Sequence, residues 1–392
     1  MSGNEIILNI WSDFMIIFRK KMIYIDEFTN GIFETNTETG NTKCLYYFDK
    51  KKKGKYRGYS SGILHDCKCY FIPFNENDIL VYDIENNRLE ELKLPDCFKG
   101  GIQFSNIKVF KNYLIAVSTY KEHYLLKLDL CNKNISIFNY DSVLLKDLTM
   151  TRDMIGLENS IVWGVKEKPY IIFFDIERNS FDIKKYIIPN GIGTIAEAEN
   201  YIWINSYNKL YKIDKKTYNI VNIFEIEYDF HILKKNNSEI KEIKYNFGIE
   251  LGWVQPFFRS EIISNKLFIF SAEVDSSIEV DLNNNKINNI IIGEKENDLT
   301  IKNWGTEARA TSLKYLCVTS DTNLKSILLN SSLHGGFYKL WIVNDNIAFK
   351  HINYYMDMEQ CGEYLKKSGT LVLKENDKVD LNKFLSVLKF MR

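Results

Sequence analysis

The chain has 392 residues, and its 51 Lys plus Arg balance 51 Asp plus Glu, so it offers no bulk field to nucleic acid or to an anionic membrane. Seven scattered cysteines, an odd number, exclude a disulfide framework, and Cys67-x-Cys69 lacks the two-residue spacer and second pair of a zinc site. Neither a metal nor a cofactor is expected.

The N-terminal MSGNEIILNIWSDFMIIFRKKMIY has no basic start, and Asn9, Ser12, Asp13, Arg19 and Lys20 interrupt any span. It is expected to form strands, not a signal peptide or membrane helix, and the expected location is cytoplasmic. From there short apolar runs follow in pairs: DFMIIF and MIYI, SSGIL and CYFI, IKVF and YLIAV, DMIGL and SIVWGV, GTIAEA and YIWI, RSEII and LFIF, ATSL and YLCVT. Abundant Tyr (24) and Phe (25) with only 5 Pro suit sheet.

After each of the first six pairs, an apolar stretch ends on Asn36, Asp83, Asp129, Asp175, Asp214 or Asp281, and a second stretch opens six positions later. An Asp side chain there accepts amide N–H bonds two or three residues on and fixes a hairpin, a structural role without chemistry. Successive markers lie 47, 46, 46, 39 and 67 residues apart. A period in the mid-forties with four strands per unit predicts an all-β fold, a β-propeller of seven four-stranded blades, with six or eight as the alternatives. The seventh marker is placed at Asn330, with FYKLWIV at Phe337 as the last strand.

The propeller is assigned to residues 1–352. EIILNI at Glu5 is expected to add an outer strand to the last blade, with IAFKHI at Ile347 in an incomplete eighth blade as the alternative. Residues 353–392 form a helical tail, in which Asp380 caps a stretch with Leu381, Phe384, Leu385 and Leu388 at helical spacing. That helix either packs on the ring or docks a partner. The long fifth interval carries its excess near His231–Phe258, where it forms either a rim at the channel mouth or an inert excursion.

Arginine is scarce, with eight copies against 43 lysines, yet Arg57, Arg152, Arg259 and Arg309 fall 26, 23, 22 and 21 residues before Asp83, Asp175, Asp281 and Asn330. Guanidinium groups converging on a channel mouth would hold a carboxylate, phosphate or sulfate group. The structural alternative is that each pairs with a carboxylate and staples the ring. Glu261 and Glu307, two residues from Arg259 and Arg309, are the expected partners, because residues two apart share a strand face.

Trp253 and Trp304, in loops near Arg259 and Arg309, are candidates to stack on a ligand or to be buried beneath those loops, whereas Trp163 and Trp203 are expected between blades. The five histidines fall in separate units, and no nucleophile, phosphate-loop or dinucleotide pattern appears, so catalytic residues are unassigned.

The repeated unit resembles the blades of kelch-like and related bacterial β-propellers, although paired glycines occur only at Gly100-Gly101 and Gly335-Gly336. The resemblance implies a ring whose loops recruit a protein, peptide or small ligand. The expected function is therefore a non-enzymatic binding or scaffold module. Its partner would be a protein or peptide, or an anionic or carbohydrate ligand. The alternative is a hydrolase or lyase acting on a carbohydrate or acidic substrate at the channel mouth.

Overall fold

The computed structural model describes residues 5–8, 10, 12–26, 31–48, 58–95, 98, 102, 104–118, 123–140, 144–145, 148–188, 191–227, 257–271, 276–292, 315–321, 325–331 and 336–367. Among these, the strands form seven four-stranded antiparallel sheets, each in sequence order, and one two-stranded sheet. The seven sheets are the blades of a propeller. Their first strands, Ile16–Phe18, Tyr59–His65, Phe104–Phe110, Met150–Leu157, Thr194–Ala198, Phe257–Ile263 and Tyr315–Asp321, lie side by side around the axis.

The hairpin markers act locally as the sequence predicts. Asp83 Oδ1 accepts the amides of Glu85 and Asn86 at 3.1 and 2.9 Å, and Asp175 Oδ1 those of Glu177 and Arg178 at 3.0 and 2.8 Å. Asn36 and Asp214 repeat the pattern. Four residues after each marker the chain turns left-handed, at Gly40, Asn87, Lys133, Asn179, Tyr218 and Asn285.

Blade 7 departs from that ruler. Its outer strands, Phe337–Val343 and Asn346–Ile352, are joined by a tight turn with Asn344 and Asp345 both at positive φ, the geometry of a two-residue hairpin turn. Asn330 therefore sits on the second strand, Ser326–Ser331, and YLCVT is the innermost strand, not the second. IAFKHI is the outer strand of blade 7, and the described residues contain no eighth blade.

The core lies between blades. Seven buried clusters correspond to the seven interfaces; Trp163 (0% exposed) packs between blades 3 and 4, and Trp203 (2%) between blades 5 and 6. Flat sheets with two apolar faces bury both only when neighbours cover them. Polar staples join the outer strands: Lys127 Nζ donates to Asn179 Oδ1 of the next blade at 2.8 Å, and Lys212 Nζ to Asn285 Oδ1 at 2.8 Å.

Closure differs from expectation. Glu5–Leu8 does not join blade 7; it pairs antiparallel with Tyr354–Asp357, with Leu8 opposite Tyr354 and Glu5 opposite Asp357. This two-stranded clasp packs into the interface of blades 7 and 1, where Tyr24, Phe33, Leu328, Phe337, Tyr354 and Met356 share one cluster. The reason is continuity: Tyr354 follows the outer strand of blade 7 after a single residue, so it reaches Glu5–Leu8 first.

A helix, Met358–Lys367, follows the clasp, and Asp357 Oδ1 caps it by accepting the Glu359 and Gln360 amides. The stretch from Asp380, where the sequence places a helix, lies outside the described residues. Within them, no helix is long and apolar enough to cross a membrane.

Candidate functional site

The inner strands of blades 2 to 7 begin at the same channel mouth, where each receives the connection from the preceding blade, and that of blade 1 follows the N-terminal segment. At that start the pairing with the second strand slips in five blades, between Tyr59 and Ser61, Phe104 and Asn106, Met150 and Met154, Phe257 and Arg259, and Tyr315 and Cys317. Such bulges free backbone groups and re-aim side chains. In blade 4 the slip spans Thr151 to Asp153, and Asn106 Nδ2 of blade 3 donates to the Thr151 and Asp153 carbonyls at 3.1 and 2.9 Å.

Arg152 and Arg259 are both third residues of inner strands, and the structure brings them together across the mouth. Arg259 Nη1 donates to the Arg152 carbonyl. Its Nε lies 3.6 Å from Asp153 Oδ1, while Asp153 Oδ2 accepts the Ser260 hydroxyl at 2.7 Å. The Arg152 guanidinium lies over the Phe258 ring at 5.9 Å, with no acidic partner among the described residues.

The carboxylate paired with Arg259 is thus Asp153, not Glu261. Residues two apart on a strand are separated by about 6.6 Å, whereas the narrow channel brings blade 4 closer. Glu261 instead accepts the Ser320 hydroxyl of blade 7 at 2.7 Å. Glu307 lies outside the described residues, as do Arg57, Arg309, Trp253 and Trp304. Arg57 and Arg309 precede the inner strands of blades 2 and 7 and do not share the third-residue position.

Electrostatically the inner wall is crowded. Asp153, with a side chain 6% exposed, has its carboxyl pushed up to about 7 by burial, an effect that Arg259 and the Ser260 hydroxyl oppose and Glu261 reinforces. Burial likewise raises Glu261, and it lowers the Lys108 ammonium of blade 3 despite the nearby Glu197, Glu261 and Asp153. Glu197 pairs with Lys215 at 2.5 Å.

Sequence reasoning missed Lys108, Asn106, Ser260 and Ser320. Lys108 alone left a signal, a charge within the otherwise apolar IKVF run of an inner strand.

Among the described residues no group of three His, Cys, Asp or Glu side chains is placed to hold a metal. The His123 imidazole bonds the Leu145 carbonyl at 2.8 Å within a packed aromatic cluster. A shallow polar crevice of about 330 Å³ opens between the outer edges of blades 2 and 3, lined by Leu92, Pro95, Lys133 and Ile135. It holds none of the groups gathered at the mouth.

The longest connections lead into blades 6 and 7 at this mouth, residues 226–256 and 292–314, and most of each lies outside the described residues. The sequence reveals only the first as long, because Asn330 marks the wrong strand.

No family model and no curated protein matches the sequence. Solved structures do match in shape. A catalytically inactive virginiamycin B lyase from Staphylococcus aureus, solved with quinupristin, superposes with a TM-score of 0.58 at 13% identity, over 86% of this chain and 99% of that one. PorZ, a surface component of the type-IX secretion system of Porphyromonas gingivalis, gives 0.54 at 11% over 89% of this chain, which spans 39% of that protein's length. The extracellular domain of a putative hybrid two-component system from B. thetaiotaomicron gives 0.54 at 13%, over 84% of this chain and 40% of that one. At these identities the likeness establishes the fold alone: the chain is a seven-bladed β-propeller.

Proposed function

We propose that this propeller is a non-enzymatic, cytoplasmic binding module whose channel mouth receives a protein, peptide or anionic small ligand, with residues 353–392 as an appendage on the ring. One observation carries the proposal: the Arg259 guanidinium reaches the Arg152 carbonyl at one mouth, and the Arg152 guanidinium, resting on Phe258, is not engaged by any described carboxylate. A cationic group on an aromatic face at the start of an inner strand suits an acidic recognition element. The described carboxylates of the wall are already engaged, Asp153 by Arg259 and Ser260, Glu197 by Lys215 and Glu261 by Ser320. That favours binding over a hydrolase that works through a pair of carboxylates presented to a carbohydrate.

The test compares partners retained from a cell extract by immobilised wild-type protein and by variants. Arg152→Ala and Arg309→Ala should lose the retained partner without a change in melting temperature. Lys133→Ala, on the outer rim of blade 3, should keep it. Loss of stability in the arginine variants with retention intact would identify ring staples and defeat the proposal.

A further inference from the structure

Arg259 is held by two groups of blade 4 at once, the Arg152 carbonyl and the Asp153 carboxylate. The second contact is loose. Charge-assisted N–H···O bonds run about 2.7–2.9 Å, whereas Arg259 Nε and Asp153 Oδ1 are 3.6 Å apart. A guanidinium carries five donors in a planar fork, so an oxyanion arriving beside Arg152 can offer Arg259 better geometry than Asp153 does.

We propose that Asp153 is an internal competitor for the ligand's oxyanion. It holds Arg259 until a carboxylate or phosphate group bridges Arg152 and Arg259, and the displaced carboxylate then takes a proton from solvent. The inference rests on the mouth being the binding site proposed above.

The surroundings of Asp153 support the coupling. From blade 6 it faces Arg259, Ser260 and Glu261; from blade 3, Asn106 and Lys108; from blade 5, the Ile195 backbone, with Glu197 beyond on Lys108; and on its own strand, Arg152. Without Arg259, Asp153 is a buried carboxylate beside Glu261 with only the neutral donors of the Ser260 hydroxyl and the Ile195 backbone, a setting that favours the neutral acid. Its carboxyl already stands near 7 with Arg259 present. Below that value the competitor is neutral and Arg259 is released to the ligand. Above it the competitor is ionised and affinity falls, by up to about tenfold per pH unit for one linked proton.

Calorimetric titration with a tetraglutamate peptide and, separately, with inorganic phosphate tests this at about pH 6 and about pH 8, in buffers of different ionisation heat that count protons. The two probes distinguish a carboxylate from a phosphate source. Wild type should bind its preferred probe about tenfold or more weaker at the higher pH and take up a proton on binding. The near-isosteric Asp153→Asn should bind tetraglutamate equally at both pH values, tighter than wild type at the higher one, with no proton uptake, and should bind phosphate with no more pH dependence than that anion's own titration near neutrality imposes. Ser260→Ala, which removes the hydroxyl that favours the ionised competitor, should tighten binding at the higher pH only.

Binding that is independent of pH and unchanged in Asp153→Asn overturns the competitor while leaving the mouth as the site. No binding of either probe by folded wild type and folded Asp153→Asn brings down both.

Discussion

The Tyr355 amide donates to the Gly40 carbonyl at 2.9 Å, which stitches the strand leaving blade 7 to the outer hairpin of blade 1. Gly40 is the only glycine among the six equivalent left-handed positions, where the others are Asn87, Lys133, Asn179, Tyr218 and Asn285. Its φ of +81° is one reason, and the clasp is the second: a Cβ there would run into the Asn353 carbonyl oxygen and crowd Ile352. Gly40→Ala should therefore cost about 2–4 kcal/mol, read as a lower urea midpoint. An unchanged midpoint would mean that the clasp contributes little to closure.

Between neighbouring blades, lysines form polar staples. The Lys212 ammonium sits over the Tyr201 ring at 4.0 Å and donates to Asn285 of the next blade; Lys127 repeats this with Tyr113 at 4.2 Å and Asn179. Lys212→Ala should cost about 1–2 kcal/mol. A double-mutant cycle with Asn285→Ala should return a coupling of about 1 kcal/mol, and strictly additive effects would assign the loss to packing.

Two sets of carboxylates give stability opposite slopes with pH. Asp83, Asp175 and Asp214 are held below the ordinary carboxylate range by the turn N–H and side-chain donors they accept. Their contribution is present above the unfolded value of about 3.9 and is lost as pH falls below it. Asp153 and Glu261 are raised by burial, so the folded state keeps protons that the unfolded chain releases, and stability declines as pH rises from about 4 toward 7. Urea midpoints across pH should peak on the acid side of neutrality. Asp153→Asn should flatten the descending limb; a limb of undiminished slope would exclude Asp153 as its source.

What the sequence reveals divides along the same lines. The hairpins are legible because an Asp and the amides it accepts lie two and three residues apart, and six markers therefore place six blades. Blade 7 escapes because Asn344-Asp345 replaces the four-residue turn with a two-residue one, which shifts the ruler onto Asn330, a residue of the second strand. The pairing of Arg259 with Asp153 spans more than a hundred residues, and no local pattern reports which strands meet across a channel. The clasp escapes for the same reason, since Glu5–Leu8 and Tyr354–Asp357 come from opposite ends of the chain.

Arg152 and Arg259 share a position in their strands but not a role, and stability measurements separate them. Arg259→Ala takes the cation from Asp153 and the donor from the Arg152 carbonyl; with the Asp153 carboxyl already near 7 the acid answers by holding its proton, so the cost is about 1–2 kcal/mol near neutrality and grows as pH rises. Combining it with Asp153→Asn removes the titrating acid, so the double variant should lose the growth of the deficit with pH. The same single variant should also raise the Asp153 carboxyl further, which makes the deficit shrink on the acid side, where the neutral acid needs no partner. Arg152→Ala, by contrast, removes only a contact with Phe258 and should shift the midpoint by no more than about 0.5–1 kcal/mol. If Arg259→Ala were as mild as Arg152→Ala at every pH, the cross-channel pair would not be a staple, and Arg259 would join Arg152 as a group held for ligand alone.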